Sequence, residues 1–208
     1  MTPQDIETYF TQPDGKYAFA RWGRPIAPIV FGVEDKSLEV VKGALQAVVQ
    51  LAGHQLVETD PEFGSNMMFF FFSEWDELLD VPDLDKMIPE MALLVSKLKS
   101  GGANQYRLFR FDDAGAIKAA FVFLKMDDAL ADIPAEVLAL QQIVQVMLLW
   151  GKDAFREQSP LGRTESGKTI LRPDVAGIIN AAYDPVMPAV ANDTSHALRL
   201  FARLETAK

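Results

Sequence analysis

Three glutamines break an otherwise apolar run between Val137 and Trp150, at Gln141, Gln142 and Gln145. Gln141 and Gln145 stand one helical turn apart, so on a helix their amides share a face, with Gln142 beside them. A buried amide needs hydrogen-bond partners, so this stripe either faces water or lines a cleft. A second candidate is Gly162-Arg163-Thr164-Glu165-Ser166-Gly167-Lys168-Thr169, which satisfies the phosphate-loop pattern through Gly162, Gly167, Lys168 and Thr169. That chemistry needs backbone N–H groups cradling phosphates, a lysine on the terminal phosphates and a hydroxyl on magnesium. It also needs a buried strand entering the loop and a helix leaving it. Residues 151–161 are polar and irregular, and only Ile170, Leu171 and Arg172 separate Thr169 from Pro173. The segment is therefore expected to be a surface loop, with nucleotide binding as an alternative reading.

Other chemistries are narrowed by composition. The 208 residues contain no cysteine and only two histidines, His54 and His196, which excludes disulfides and thiol catalysis and leaves little for zinc. Lys and Arg total 20 against 29 Asp and Glu, and a formal charge of -9 argues against nucleic acid or an anionic membrane as partner. The cluster Glu74, Asp76, Glu77, Asp80, Asp83 and Asp85 has the oxygens for calcium but not the order or central glycine of an EF-hand. It reads better as the solvated face of a short helix. His54 is expected to meet the last carbonyls of the helix before it. Glu136, Asp153 and Glu157 are carboxylates that a hydrolase could use around the same helix.

The elements that would hold these residues follow from periodicity. Residues 27–33 form a short strand pattern. Apolar positions from Leu38 to Ala52 recur at helical spacing, ending at Gly53. Met67 to Phe72 is apolar on both sides of the pleat, which demands a central strand covered on both faces. Ser73 is placed as a cap with Asp76 completing its box. A helical pattern from Asp83 to Leu98 is kinked or restarted at Pro89. Residues 105–111 and 116–125 make a hairpin around Asp112-Asp113-Ala114-Gly115, and its Arg107, Arg110, Lys118 and Lys125 are expected to be exposed guards of an edge strand. Helices follow at 134–150, 173–182 and 194–204. This order predicts one α+β domain, a mixed β-sheet packed against several helices, over residues 25–208, with residues 1–24 as an N-terminal extension.

The helix carrying the glutamines resembles a degenerate His-Glu-x-x-His helix of the zincin metallopeptidases, with the preceding strand, helix, strand and hairpin in similar order. More narrowly, Ile143 to Leu148 with Lys152-Asp153, then Leu171-Arg172-Pro173-Asp174, then Ala182-Tyr183-Asp184-Pro185 resemble an uncharacterised bacterial zincin-like family. The resemblance places Gln141 and Gln145 where zinc ligands would stand and Gln142 where the general base would. Glutamine is neither a usual zinc ligand nor a base. The resemblance thus implies a zincin-like domain without metal, catalytic residue or cofactor, whose old cleft binds a peptide or protein segment. A hydrolase using cleft carboxylates is the enzymatic alternative. No apolar run approaches the ~20 residues of a membrane span, and no secretory leader is visible. A cytoplasmic chain is expected by default, and a periplasmic one if a leader was trimmed.

Overall fold

Met67 to Phe72 organises the molecule. In the computed structural model, which describes residues 1–206, this strand is interior, and its side chains feed two separate apolar clusters. Met67 and Phe69 point into one cluster; Met68, Phe70 and Phe72 point into the other. The pleat alternation alone produces that split.

In chain order the elements are α1 (Pro3–Phe10), β1 (Phe19–Ala20), β2 (Pro28–Phe31), α2 (Asp35–Leu51) and β3 (Met67–Phe72). A 3-10 helix (Trp75–Asp80), α3 (Leu84–Met87), α4 (Met91–Ser100), β4 (Gln105–Phe111) and β5 (Ile117–Lys125) follow. The chain continues through α5 (Asp128–Ala131), α6 (Ala135–Met147), β6 (Leu161–Arg163), β7 (Thr169–Leu171), α7 (Pro173–Ala182), β8 (Val190–Ala191) and α8 (Ser195–Thr206). The main sheet has the order β2-β3-β5-β4, with β2, β3 and β5 parallel and β4 antiparallel at the edge. This is a mixed α/β domain with a mixed sheet. Helices α2, α6 and α7 pack on one face, and the 3-10 helix, α3 and α4 cover the other.

At the end of β2 the backbone closes tightly on β3. Gly32 has φ +80°, and a Cβ there would lie 2.1 Å from the Phe71 carbonyl oxygen, so only glycine fits. Residues 1–24, expected as an extension, contribute Ile6, Phe10, Phe19 and Trp22 to the same cluster as α2 and α6. Thr2 caps α1 through a reciprocal box with Asp5, and β1 pairs with β8 near the other end of the chain.

Several local expectations need correction. The cap after β3 sits one residue later than expected: the Glu77 carboxylate accepts the backbone N–H groups of Ser73 and Glu74. One carboxylate fits this turn better than a serine hydroxyl because both free backbone donors meet a single anion. Pro89 does mark a restart, as its position implies, dividing the next helical pattern into α3 and α4. The cations of the β4–β5 hairpin are partly buried rather than exposed, because long aliphatic stems lie on apolar neighbours while the heads find acceptors. Arg110 donates to the Met87 carbonyl, and Lys118 pairs with Glu62 at 2.6 Å.

Candidate functional site

Helix α6 is anchored at its C-terminal end. The last four carbonyls of a helix lack internal partners, and burial makes leaving them bare expensive. Here the Trp150 indole donates to the Val144 carbonyl at 2.9 Å, the Trp22 indole to Val146 at 2.8 Å and the Tyr183 hydroxyl to Met147 at 2.8 Å. Two of these donors come from outside the helix's own neighbourhood, so the helix is held in place by the N-terminal segment and α7. Tyr183→Phe removes only a hydroxyl and leaves a buried carbonyl bare. It is expected to lower stability by about 1–2 kcal/mol, read as a shift of the urea midpoint with unchanged slope.

Thus fixed, α6 runs beside the edge strand. Gln142 is 1% exposed, and its amide turns toward β4. Its Oε1 accepts from Arg107 Nη1 at 2.6 Å, while its Nε2 donates to Gln105 Oε1 at 3.1 Å. Arg107 Nη1 also donates to Gln105 Oε1 at 3.1 Å, closing a three-membered ring of polar contacts. Gln105 and Arg107 are two apart on a strand, so they necessarily share a face. Burial pushes the Arg107 guanidinium down to about 10, still fully charged at neutral pH. Among the described residues no carboxylate lies within ion-pairing distance of it. A desolvated cation held only by neutral amides is the outstanding electrostatic feature of the molecule.

Gln141 and Gln145 are half-buried and take a different direction along the helix. The Gln145 amide donates weakly to the Gln141 carbonyl at 3.3 Å. Of the three glutamines, the structure joins only Gln142 to the edge strand. The signal for its partners was present in the alternation of Gln105, Arg107 and Phe109, but the pairing with α6 spans 35 residues for Arg107, which no local pattern encodes.

The other candidates separate. Residues 162–169 are not a loop between strand and helix: Leu161–Arg163 and Thr169–Leu171 pair as an antiparallel hairpin, closed by Thr164 and Lys168. β-branched and apolar residues on either side of a positive-φ Gly167 favour that turn. Gly162 lies in β6, Thr169 in β7, and Lys168 is exposed at the turn, with no helix N-terminus to receive a phosphate. Lys168→Ala is therefore expected to change stability by no more than about 0.5 kcal/mol, and millimolar ATP to leave the melting temperature of both forms unmoved.

The acidic cluster is dispersed into local ion pairs, Asp76 with Lys99 and Asp83 with Lys86, and into the Glu77 cap. Among the described residues no three His, Cys, Asp or Glu side chains are grouped to hold a metal. Asp153 and Glu157 line a polar cleft of about 740 Å³ with Asp5, Tyr9 and Arg172, whereas Glu136 stands exposed in the first turn of α6. Arg172 in that cleft is already engaged by Asp174, Tyr9 and the Ser159 carbonyl. The His54 backbone N–H donates to the Val49 carbonyl in the last turn of α2, while its ring Nε2 donates to the Arg24 carbonyl at 2.8 Å. His196 meets the Tyr17 hydroxyl at 2.7 Å. A further cavity of about 520 Å³ lies at the carboxyl ends of β2 and β3, lined by Val33, Phe71, Met126, Ile133 and Leu138 among others. The glutamine triplet lines neither of these spaces.

The chain has no match among protein-family models, curated proteins or solved structures. No helix among the described residues is long and apolar enough to cross a membrane.

Proposed function

We propose that this chain is a non-catalytic binding module that takes an extended peptide or protein segment along the free edge of β4, beside α6. The observation that carries this reading is the Arg107–Gln142–Gln105 ring: a half-buried charged group held by neutral amides beside a strand edge. The sheet ends at β4, so that strand's outer backbone groups are unpaired by any other strand among the described residues. An extended segment can satisfy them by strand addition, with main-chain bonds giving affinity and side chains giving selectivity. The sequence of β2, α2, β3, antiparallel β4, β5 and α6 is compatible with a zincin-like origin. The net charge of -9 favours a protein partner over nucleic acid.

A peptide selected from a random nonamer library and titrated into labelled protein tests the proposal. Saturable shifts centred on the backbone amides of Gln105–Phe111 and the Gln142 side-chain amide are expected. Binders that all map elsewhere, or zinc binding tighter than micromolar that disappears in Gln145→Ala, would refute it.

A further inference from the structure

We infer that Arg107 is a receptor for one carboxylate, delivered by a glutamate or aspartate side chain of the segment that lies along β4; the inference rests on the strand-addition reading above. Both hydrogen bonds that Arg107 makes come from Nη1. Among the described residues Nε and Nη2 make none, yet neither is among the polar atoms sealed from solvent without a partner. These two nitrogens form one side of the guanidinium, two parallel N–H donors spaced for the two oxygens of a carboxylate. The amides of Gln105 and Gln142 hold the opposite side and fix the plane. The arrangement is a rigid fork with its back filled and its front open.

The surroundings choose the anion. Arg107 is half-buried with no counter-ion among the described residues, so an arriving carboxylate meets a charge that is already partly desolvated. Arg107 is the third of seven residues in β4, so a segment added along the whole strand runs past it. A side chain is then within reach, whereas a chain end would leave the rest of the edge uncovered. On the same face, Phe109 and Phe111 follow at two-residue intervals, their rings 6.3 Å apart and Phe111 40% exposed. The matching segment carries an acid opposite Arg107 and an apolar or aromatic residue two positions along, opposite Phe109. The overall charge of -9 repels polyacidic segments, so a single acid among apolar residues is favoured.

The test compares four forms of one library-selected peptide against the full chain: the acid form, its Glu→Gln or Asp→Asn analogue, and each of these amidated at the C-terminus. The acid form is expected to bind on the order of tenfold more tightly than its amide analogue, whatever the state of the chain end. Its binding should also shift the Arg107 Nε–H resonance, a readout that needs no variant. Arg107→Met should erase the tenfold preference while leaving the weaker neutral binding, and Arg107→Lys, which keeps charge without the fork, should lose most of it. Equal affinity of acid and amide forms, with β4 amides still shifting, would overturn the inference and leave strand addition standing. Dependence on C-terminal amidation alone would overturn it in favour of a chain-end carboxylate. Absence of any β4 shift with every peptide would overturn both.

Discussion

Gln142→Leu is expected to lower stability by about 2–3 kcal/mol, and the melting temperature by roughly 5–10 °C for a chain of this size. Leucine keeps the volume, so the apolar packing of α6 survives. What is lost is the acceptor for Arg107 Nη1 and the donor to Gln105 Oε1. A cation in a dehydrated place then keeps only one internal acceptor, and charged groups suffer most from such a loss. Gln141→Leu and Gln145→Leu, on half-buried positions outside the ring, should change stability by no more than about 0.5 kcal/mol. Gln142→Glu provides the sharper contrast. It returns an acceptor and adds a counter-charge, so this variant should exceed Gln142→Leu by at least about 2 kcal/mol at neutral pH. Thermal and urea denaturation of the four variants, run in parallel, check the whole series. If Gln142→Leu behaves like its two neighbours, the ring contributes nothing to holding the site.

Acidification is expected to weaken the fold as soon as pH falls through the ordinary histidine range. His196 is 2% exposed, its Nε2 has no partner, and its ring lies 4.2 Å from that of Phe19. Burial, with Arg199 adding repulsion, depresses the imidazole to about 4. A histidine in an unfolded chain titrates near ~6.5. Between those values the unfolded state holds more protons, so stability is complete above the higher value and declines as pH falls toward the lower one. The loss over that window is on the order of 2–3 kcal/mol. His54 is also depressed by burial and acts in the same direction. Asp60, lowered in the fold despite burial by the backbone N–H groups of Phe63 and Glu62 and by Arg24, contributes below that window, because its loss begins only near the ordinary carboxylate value. Unfolding free energy measured at fixed temperature across this range should therefore slope upward with pH, and His196→Phe should flatten that slope. A flat profile in the unaltered chain would show that His196 takes up its proton without disturbing the Tyr17 contact.

Sequence reading succeeded where one segment's own pattern settles its environment. Six consecutive apolar residues at Met67–Phe72 require cover on both faces, and they have it. Asp112 to Gly115 closes the hairpin as a short acidic turn should, and Pro173 opens α7 at its first position. It failed where the deciding contact is distant. Nothing near Trp22 reveals that its indole will cap a helix 124 residues later. The phosphate-loop pattern at residues 162–169 is short enough to occur in a hairpin, and only flanking structure separates the two. At the candidate site the glutamine spacing singles out α6, and the structure joins Gln142 of that helix to β4. It was mute about Arg107, whose partners depend on which strand lies at the sheet edge, and that is a property of the assembled topology.

The decisive measurement is a crystal structure of the full chain with a library-selected peptide bound. A continuous extended segment hydrogen-bonded along Gln105–Phe111 is expected, its acidic side chain seated on the Nε and Nη2 edge of Arg107. A peptide lodged instead in the cavity between Val33 and Leu138, or in the polar cleft beside Tyr9 and Arg172, with the edge of β4 bare, would contradict it.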